Sequence, residues 1–317
     1  MAKISVIIPT YNRAAYIKEA IDSVLAQTHE DIEVIVVDDS SRDGTAGIVS
    51  AYGDRVRYIL QDNRERGAAR NTGIRNSTGE YIAFLDSDDS WLPGHLASCL
   101  ETLLRVPGAG AAYSGSYMTD ETGKIIGKLP AAAFGDDPLR EIVSGFSSRG
   151  CNASSVLVRR QVFENAGMFS EVRDLSGSED WEMWTRIAAC SKLAFSGNFT
   201  AKIRFHGGKS SIDPVRMEKS MKLAMHLVFA NPCIAPKAES LKGKAYSGLY
   251  TIIAVNYYAA GRMKDARHNL MMALKARPSS LLSNPLLAYT FLRSLTGRGV
   301  SATMRKMKWG LGARLGR

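Results

Sequence analysis

The sequence predicts an α/β fold built on a mixed, mostly parallel sheet, followed by an α-helical C-terminal region. Strand-like and helix-like hydrophobic periods alternate from the first residues, which is typical of βα units around a sheet. The apolar runs are near-continuous, as in strands that helices cover on both faces. From residue 217 onward only helix-like periods occur. With 317 residues, 45% of them hydrophobic and 23% charged, the chain can bury a sizeable core and is not of the disordered or disulfide-scaffold class.

Strands and helices alternate regularly over the first hundred residues. The predicted strands are the apolar runs at residues 4–8, 34–37, 56–60 and 81–85. An amphipathic helix follows the first strand, because Ile17, Ile21 and Val24 lie on one stripe. Further helices are predicted to open at residues 43–45, to cover residues 67–76, and to run from 92 to 106, ending at a Pro-Gly pair.

The alternation weakens after residue 109, which indicates an inserted acceptor region. A strand is predicted near 111–114, with a turn at 120–123. A strand at 155–158, a helix at 179–189 and strands near 193–195 and 202–206 complete the first domain. The predicted division is therefore a first domain at residues 1–215 and a helical region at 216–317.

The helical region contains the spacing of one tetratricopeptide-type hairpin at about residues 247–280. Its members are Tyr250, Ile253, Ala254, Tyr257, Ala266, Leu270, Ala273 and Pro278. A solenoid needs about three repeats to bury its face, so one unit is expected to pack on its neighbours. Binding of a partner peptide is the alternative.

Charge divides the chain into two unequal parts. Residues 1–200 carry 20 Lys and Arg against 27 Asp and Glu, whereas residues 201–317 carry 21 against 4. Because residues 1–200 are acidic, the whole molecule is not expected to form a nucleic-acid binding surface. Residues 293–317 hold seven cations and no acid, interleaved with apolar residues. Such a basic amphipathic tail is expected to lie on an anionic membrane surface, with a solvated end or a nucleic-acid contact as the alternatives.

The cysteines and apolar runs favour a cytoplasmic protein. Cys99, Cys151, Cys190 and Cys233 lie 52, 39 and 43 residues apart, so no CxxC metal or redox pair exists. The first apolar run is too short for a signal peptide. The longest later run, at 249–260, falls short of the ~20 residues that a spanning helix needs. We expect a cytoplasmic chain, peripheral on the inner face of the membrane at most.

Two nucleotide-binding motifs are missing from the sequence. The turn after the first strand reads Pro9-Thr10-Tyr11-Asn12 and contains no GxGxxG, which argues against a Rossmann dehydrogenase. No GxxxxGK[ST] occurs either, which excludes a P-loop nucleotidase.

Paired aspartates end the second strand. Asp38 and Asp39 precede two serines, and ligands of open α/β sheets bind beyond the carboxyl ends of strands. Their carboxylates could therefore accept hydrogen bonds from a base or sugar. Turn formation and helix capping are the alternative interpretation.

Three more carboxylates, Asp86, Asp88 and Asp89, follow the apolar run at 81–85. Because carboxylates this close repel one another, a divalent cation such as Mg²⁺ or Mn²⁺ would compensate them. Arg70, in the preceding helix, could join that cation in neutralising a diphosphate. An acidic turn is the alternative.

Two further segments could contribute to a site. Glu179 and Asp180 open a helix, where the helix dipole alone accounts for acids. The loop at 205–210 contains His206 and two glycines, and could offer an imidazole and backbone amides to a metal or phosphate. A solvated loop histidine is the alternative there.

Taken together and in order, six segments resemble the family 2 glycosyltransferases. They are residues 6–13 (VIIPTYNR), 23–28 (SVLAQT), 36–45 (VVDDSSRDGT), 69–73 (ARNTG), 84–89 (FLDSDD) and 179–181 (EDW). The resemblance covers roughly residues 3–210. Ser40 and Arg42 stand where relatives often carry Gly and Thr, and this difference bears only on which nucleobase is preferred.

This resemblance implies a GT-A fold and an inverting, metal-dependent transfer from a nucleotide sugar, most simply a UDP-sugar. Tyr11 would stack on the nucleobase beside the backbone of Pro9, and Asp39 would hydrogen-bond the base. Arg70 would hold the nucleotide side of the donor.

The resemblance also implies how the acidic segments divide their roles. Asp86 would reach the ribose and the Mn²⁺ or Mg²⁺ ion, with Ser87 beside it in the donor site. Asp88 would bind the same metal, and His206 matches a loop histidine that some relatives use near it. Asp180 would be the general base. The acceptor would be a glycan or a lipid-linked molecule.

Two other functions compete with this one. A sugar-phosphate nucleotidyltransferase also needs acidic strand ends and a metal, but the turn at residues 9–12 lacks the Gly-rich basic loop that such an enzyme would carry. A non-catalytic nucleotide-binding or scaffold module is the second alternative.

Overall fold

The computed structural model describes residues 2–146, 149–207 and 213–295. In these ranges one mixed sheet forms the centre of an α/β fold, as the sequence predicts. Its strands are β1 (Ile4–Thr10), β2 (Ile32–Asp38), β3 (Arg57–Leu60), β4 (Tyr81–Phe84), β5 (Ser90–Trp91), β6 (Ala109–Thr119), β7 (Ile125–Lys128), β8 (Val156–Arg159) and β9 (Lys192–Arg204). Their order is β3-β2-β1-β4-β8-β6-β9-β5, with β7 paired to β6 outside this path.

Helices cover the sheet and form the C-terminal region. They are α1 (Ile17–Leu25), α2 (Thr45–Ser50), α3 (Glu65–Arg75), α4 (His95–Arg105), α5 (Pro138–Gly145), α6 (Val162–Ala166), α7 (Glu179–Cys190), α8 (Pro214–Ala230), α9 (Ala235–Ala238), α10 (Lys242–Ala259), α11 (Met263–Ala276), α12 (Ser280–Ser283) and α13 (Pro285–Leu295). The helical character of the C-terminal region is thus confirmed up to residue 295. None of the helices in the described ranges is both long and apolar enough to cross a membrane.

The parallel half of the sheet determines where a ligand can bind. Strand β1 pairs in parallel with β2 on one side and β4 on the other, and β2 pairs in parallel with β3. Thr10 pairs with Asp38, so the carboxyl ends of β1 and β2 lie at the same edge. Because β4 runs in the same direction, residues that follow all three strands meet there.

Two element predictions are wrong in detail. The strands predicted at 193–195 and 202–206 are one strand, β9, which runs parallel to β6 with register shifts between Ala109 and Ala111 and between Tyr113 and Ser116. Gly197, with φ of 79°, explains the error, because a glycine at positive φ within an irregular strand resembles a turn in sequence. The helix predicted from residue 92 begins at His95, since Ser90 and Trp91 pair with β9 instead.

The C-terminal helices share a hydrophobic core with the sheet. One buried cluster includes Phe84 of β4, Trp184 of α7, Met221 of α8 and Ile253 of α10. Residues 215 and 216, where the sequence suggests a domain boundary, lie in the first turn of α8. The division into two domains therefore stays a prediction. The predicted tail is residues 293–317: its first three residues end α13, and residues 296–317 lie outside the described residues.

Candidate active site

A cavity of about 730 Å³ opens at the carboxyl edge of β1, β2 and β4. Seven of the predicted site residues line it: Pro9, Tyr11, Asp39, Asp86, Ser87, Asp88 and Asp180. The other two, Arg70 and His206, each bond to a carboxylate of the lining. The fold thus brings residues from positions 9 to 206 of the chain to one place.

The turn after β1 carries an exposed aromatic ring into the cavity. Tyr11 is 47% exposed, and Asn12, which follows it, adopts a left-handed backbone with φ of 51°. The Asn12 N–H donates to Ser41 Oγ at 2.8 Å, and its side-chain oxygen accepts from the Arg42 N–H at 2.8 Å. These bonds tie the turn after β1 to the turn after β2, and hold Tyr11 at the cavity wall.

The paired aspartates at the end of β2 have different surroundings. Asp38 is fully buried, and its carboxylate accepts from the Ser41 N–H and from the Tyr58 hydroxyl, both at 2.8 Å. Burial raises the pKa of Tyr58, and the hydrogen bond to Asp38 adds to this, to about 12. Asp38 is therefore the turn former of the pair, whereas Asp39 lines the cavity.

Asp39 is held by residues 61–65, which follow β3, the strand next to β2. Its Oδ1 accepts from Gln61 Nε2 at 2.7 Å and from the Arg64 N–H at 2.9 Å, and its Oδ2 accepts from the Glu65 N–H at 2.8 Å. The start of α3 thus orients this carboxylate toward any ligand in the cavity.

The acidic cluster after β4 could hold a cation. Asp86, Asp88 and Asp89 each offer an oxygen, and these atoms lie within 4.8 Å of one another. Asp89 has both oxygens engaged, because Oδ2 accepts from Ser154 Oγ at 2.6 Å and Oδ1 from the Arg204 N–H at 2.9 Å. Asp89 therefore joins the loop to β9, and Asp86 and Asp88 are the better ligands.

His206 follows β9 and reaches the same cluster. Its Nε2 lies 2.8 Å from Asp88 Oδ2, and Arg13 Nε lies 3.7 Å from the same oxygen. The histidine and the carboxylate are thus in direct contact. Lys209 and Ser210, further along the loop that the sequence singled out, lie outside the described residues.

Arg70 joins the acidic cluster to the start of α7. Its side chain is 1% exposed; Nη2 donates to Asp86 Oδ1 at 2.7 Å and Nη1 to Glu179 Oε1 at 2.8 Å. Burial works to raise the pKa of Glu179, but the charges of Arg66 and Arg70 outweigh it and hold that pKa below its ordinary value. Glu179 therefore remains a carboxylate.

Asp180, the next residue, is in the opposite electrostatic situation. Burial, with the negative charge of Glu179 added to it, raises the pKa of Asp180 to about 6. The positive charge of Arg70 opposes this shift. Its Oδ1 accepts from the Trp181 N–H at 2.7 Å. A carboxylate that binds protons this readily, in a cavity, can accept one from a substrate hydroxyl near neutral pH.

The cavity wall also contains residues that the sequence analysis does not single out. They include Arg66, Asn152, Arg173 and Arg216. Arg66 lies one helical turn before Arg70, and this i, i+4 spacing could have indicated it. Nothing local marks Arg173 or Arg216, because tertiary packing alone brings them to the cavity.

The chain is similar to known glycosyltransferases. The protein-family model described as glycosyl transferase family 2 matches residues 5–167. An uncharacterized glycosyltransferase of Rickettsia typhi is 27% identical over 306 residues, which cover 96% of this chain and 94% of the relative. An uncharacterized glycosyltransferase of Rickettsia felis is 32% identical over 212 residues, 66% of this chain, and the match spans only 35% of that relative's length.

Solved structures show the same fold at low sequence identity. Staphylococcus aureus TarS 1-349 in complex with UDP-GlcNAc aligns with a TM-score of 0.64 and 19% identity, over 93% of this chain and 89% of TarS 1-349. The mannosyltransferase PcManGT from Pyrobaculum calidifontis, in complex with GDP-Man and Mn²⁺, aligns with a TM-score of 0.57 and 20% identity, over 93% of this chain and 85% of PcManGT. Both likenesses concern the fold.

Proposed function

Since the chain belongs to glycosyltransferase family 2, we propose that it transfers a sugar from a UDP-sugar to a hydroxyl of a glycan or lipid-linked acceptor, with Asp180 as general base. The observation that carries this proposal is one cavity lined by both Asp39 and the Asp86–Asp88 pair, with a half-buried carboxylate of raised pKa beside them. A donor site and a proton acceptor thus share one space.

The proposed reaction is a single displacement. The acceptor oxygen attacks the anomeric carbon while its proton passes to a carboxylate oxygen of Asp180. The bond from that carbon to the diphosphate oxygen breaks, and the nucleoside diphosphate leaves with the electron pair. Attack opposite the leaving group inverts the anomeric carbon, so no second carboxylate nucleophile is needed.

The residues present fit a divalent cation of the hard, oxygen-binding kind. Asp86 and Asp88 would hold Mg²⁺ or Mn²⁺, since carboxylate oxygens are the ligands that these ions prefer. A bound cation would neutralise negative charge on the donor diphosphate. His206 contacts Asp88, which supports its proposed place at the metal. The Mn²⁺ in the PcManGT complex is consistent with this assignment.

The nucleobase site favours uracil over guanine. Within the described residues, three donors reach the Asp39 carboxylate, two at Oδ1 and one at Oδ2. A carboxylate has about four acceptor positions, so one remains, on Oδ2. This suits the single imide N–H of uracil, whereas guanine presents two adjacent donors that need both oxygens. Tyr11 would stack on the base beside the Pro9 backbone.

The acceptor side and the location of the protein complete the proposal. The basic tail at residues 293–317, most of it outside the described residues, would hold the enzyme on the anionic cytoplasmic face of a membrane, close to a lipid-linked acceptor. The proposed division into a catalytic domain at 1–215 and a helical region at 216–317 goes with this arrangement.

A screen of donors tests the proposal without a known acceptor. Purified protein with Mn²⁺ is incubated with a panel of UDP-sugars and GDP-sugars, and release of the nucleoside diphosphate to water is measured. We expect at least one UDP-sugar to be hydrolysed and none of the GDP-sugars. A non-catalytic module would bind a UDP-sugar without releasing UDP. A nucleotidyltransferase would instead form a nucleotide sugar from a nucleoside triphosphate and a sugar phosphate.

A further inference from the structure

We propose that Arg216, in the first turn of α8, is a positioning residue for Asp180, acting through Ser176 and Glu65. This inference rests on the proposed role of Asp180 as the base. It assigns part of the catalytic apparatus to the first helix of the C-terminal region.

The first supporting observation is a closed ring of polar contacts among three elements. Arg216 Nη2 donates to Ser176 Oγ at 3.1 Å, and Ser176 Oγ donates in turn to Glu65 Oε2 at 2.9 Å. Arg216 Nη2 lies 3.4 Å from that same Glu65 oxygen. Glu65 begins α3, Ser176 precedes α7, and Arg216 belongs to α8. The ring therefore connects the segment before Asp180 to both neighbouring helices.

Close packing of that segment on α8 is the second observation. Ser220 Oγ donates to the Leu175 carbonyl at 2.9 Å in a buried contact. Gly177 has φ of 104°, and a Cβ atom there would lie 3.1 Å from Met217 Sδ. Both the backbone conformation and the lack of space favour glycine. Residues 175–177 thus lie directly on the first two turns of α8.

Glu65 itself supplies the third observation. It is not a glycine, yet its φ of 68° lies in the left-handed region, and it lines the cavity. Residues in this conformation persist where their surroundings hold them, and they cluster at functional sites. The Glu65 N–H donates to Asp39 Oδ2, and its carboxylate also accepts from Arg173 Nη1 at 3.3 Å. The ring therefore contacts the Asp39 carboxylate of the proposed sugar-donor site as well as the segment that leads to Asp180.

These contacts matter because Asp180 depends on the start of α7 for its place. A general base must come within hydrogen-bond reach of the proton that it removes. A displacement of about 1 Å can lower a rate by ~10²-fold. Only three residues separate Ser176 from Asp180, so loss of the Arg216 bond to Ser176 removes one of the contacts that, beside the Arg70–Glu179 ion pair, hold the start of α7 in place. The expected effect is on turnover rather than on binding of the donor.

The test compares Arg216→Gln with Lys219→Gln. Lys219 also joins α8 to the segment before α7, through an exposed ion pair of 2.8 Å with Asp174, but it does not line the cavity. We expect Arg216→Gln to lower kcat for hydrolysis of the best UDP-sugar by about tenfold or more. The Kd of UDP should change by less than about twofold, and Lys219→Gln should match the parent. Arg216→Lys, which keeps one donor, should recover part of the loss.

Ser220→Ala is the second variant, because Ser220 lies on α8 behind the segment and is fully buried. Should Arg216→Gln fail to fold, Ser220→Ala replaces it in the test, and we expect it to lower kcat as well. A raised Kd of UDP with unchanged kcat in Arg216→Gln would show that Arg216 contacts the donor, and would overturn the inference. A normal kcat in both Arg216→Gln and Ser220→Ala, with Asp180→Asn inactive, would also overturn the inference. If Asp180→Asn turns over normally, the proposed function itself fails.

Discussion

Arg70 and Glu179 form a buried ion pair, with Nη1 2.8 Å from Oε1 and side chains only 1% and 4% exposed. The two residues are 109 positions apart and belong to α3 and α7. Removing one partner of such a pair leaves the other charge buried without compensation. The pair is therefore a structural requirement of the site as well as a feature of its electrostatics.

Arg70→Gln should lower the free energy of unfolding by about 3 kcal/mol, because it removes the shorter of the two arginine contacts to the buried Glu179 carboxylate and leaves Arg66 Nε at 3.7 Å. Arg75→Gln, on the same helix, is the control: Arg75 forms an exposed pair with Glu171 at 3.0 Å, and its loss should cost less than about 1 kcal/mol. Urea denaturation measures both. Equal losses in the two variants would contradict this prediction.

Asp180→Asn should lower turnover by ~10²- to 10⁴-fold while leaving the Kd of UDP nearly unchanged, because only the proton acceptor is lost. Steady-state hydrolysis of a UDP-sugar and calorimetric titration with UDP measure the two quantities. Asp174→Asn is a suitable control, since Asp174 is exposed on the preceding turn. Should UDP binding collapse in Asp180→Asn, the residue has a structural role.

The pH profile of the parent enzyme should show an acidic limb near pH 6. A base works only when deprotonated, so a pKa of about 6 for Asp180 means that kcat/KM falls as the pH drops through that value. An aspartate with its ordinary pKa, near 4, would keep its activity to about that pH. A profile that stays flat from pH 7 to pH 5 would be incompatible with Asp180 as the base in this environment.

Asp88→Asn should weaken binding of UDP in the presence of Mn²⁺ by about 10- to 100-fold, and EDTA should do the same to the parent. Calorimetry with and without Mn²⁺ separates the effect of the metal from that of the side chain. Asp54→Asn serves as the control, because Asp54 is exposed between α2 and β3. The metal assignment fails if UDP affinity is indifferent to both EDTA and the substitution.

Removing residues 293–317 should leave a folded enzyme that hydrolyses its donor but no longer sediments with anionic liposomes. The tail carries clustered cations and no acid, and each cation near an anionic surface contributes ~1 kcal/mol. Moderate salt should release the full-length protein too, because the attraction decays over a Debye length of ~8 Å at physiological ionic strength. Full-length protein that stays in the supernatant at low salt would refute the membrane proposal.

Features that depend on neighbouring residues could be predicted from the sequence. The apolar runs of β1, β2 and β4 and the acids that follow them are local patterns, and parallel pairing brings their ends together. Asp39, Asp86 and Asp88 are therefore recognisable as candidate site residues from the sequence.

Features that depend on tertiary packing could not be predicted. Glu179 is an ordinary first-turn acid in sequence, and only the fold places it against Arg70. Likewise, nothing near Arg216 indicates that α8 returns to the cavity. The different environments of Asp38 and Asp39 also require the positions of Tyr58 and Gln61, which belong to the next strand and its end.

The hydrophobic cluster that joins β4 to α10 has a consequence for synthesis of the chain. The buried members of this cluster run from Ile7 of β1 to Ala266 of α11, so the last of them is translated more than 250 positions after the first. Domains tend to fold as they emerge from the ribosome, but this core cannot close until α10 has appeared. The nascent chain therefore carries the apolar face of α5, on which α10 packs, uncovered until α10 has been synthesised, and we expect it to depend on chaperones during that interval.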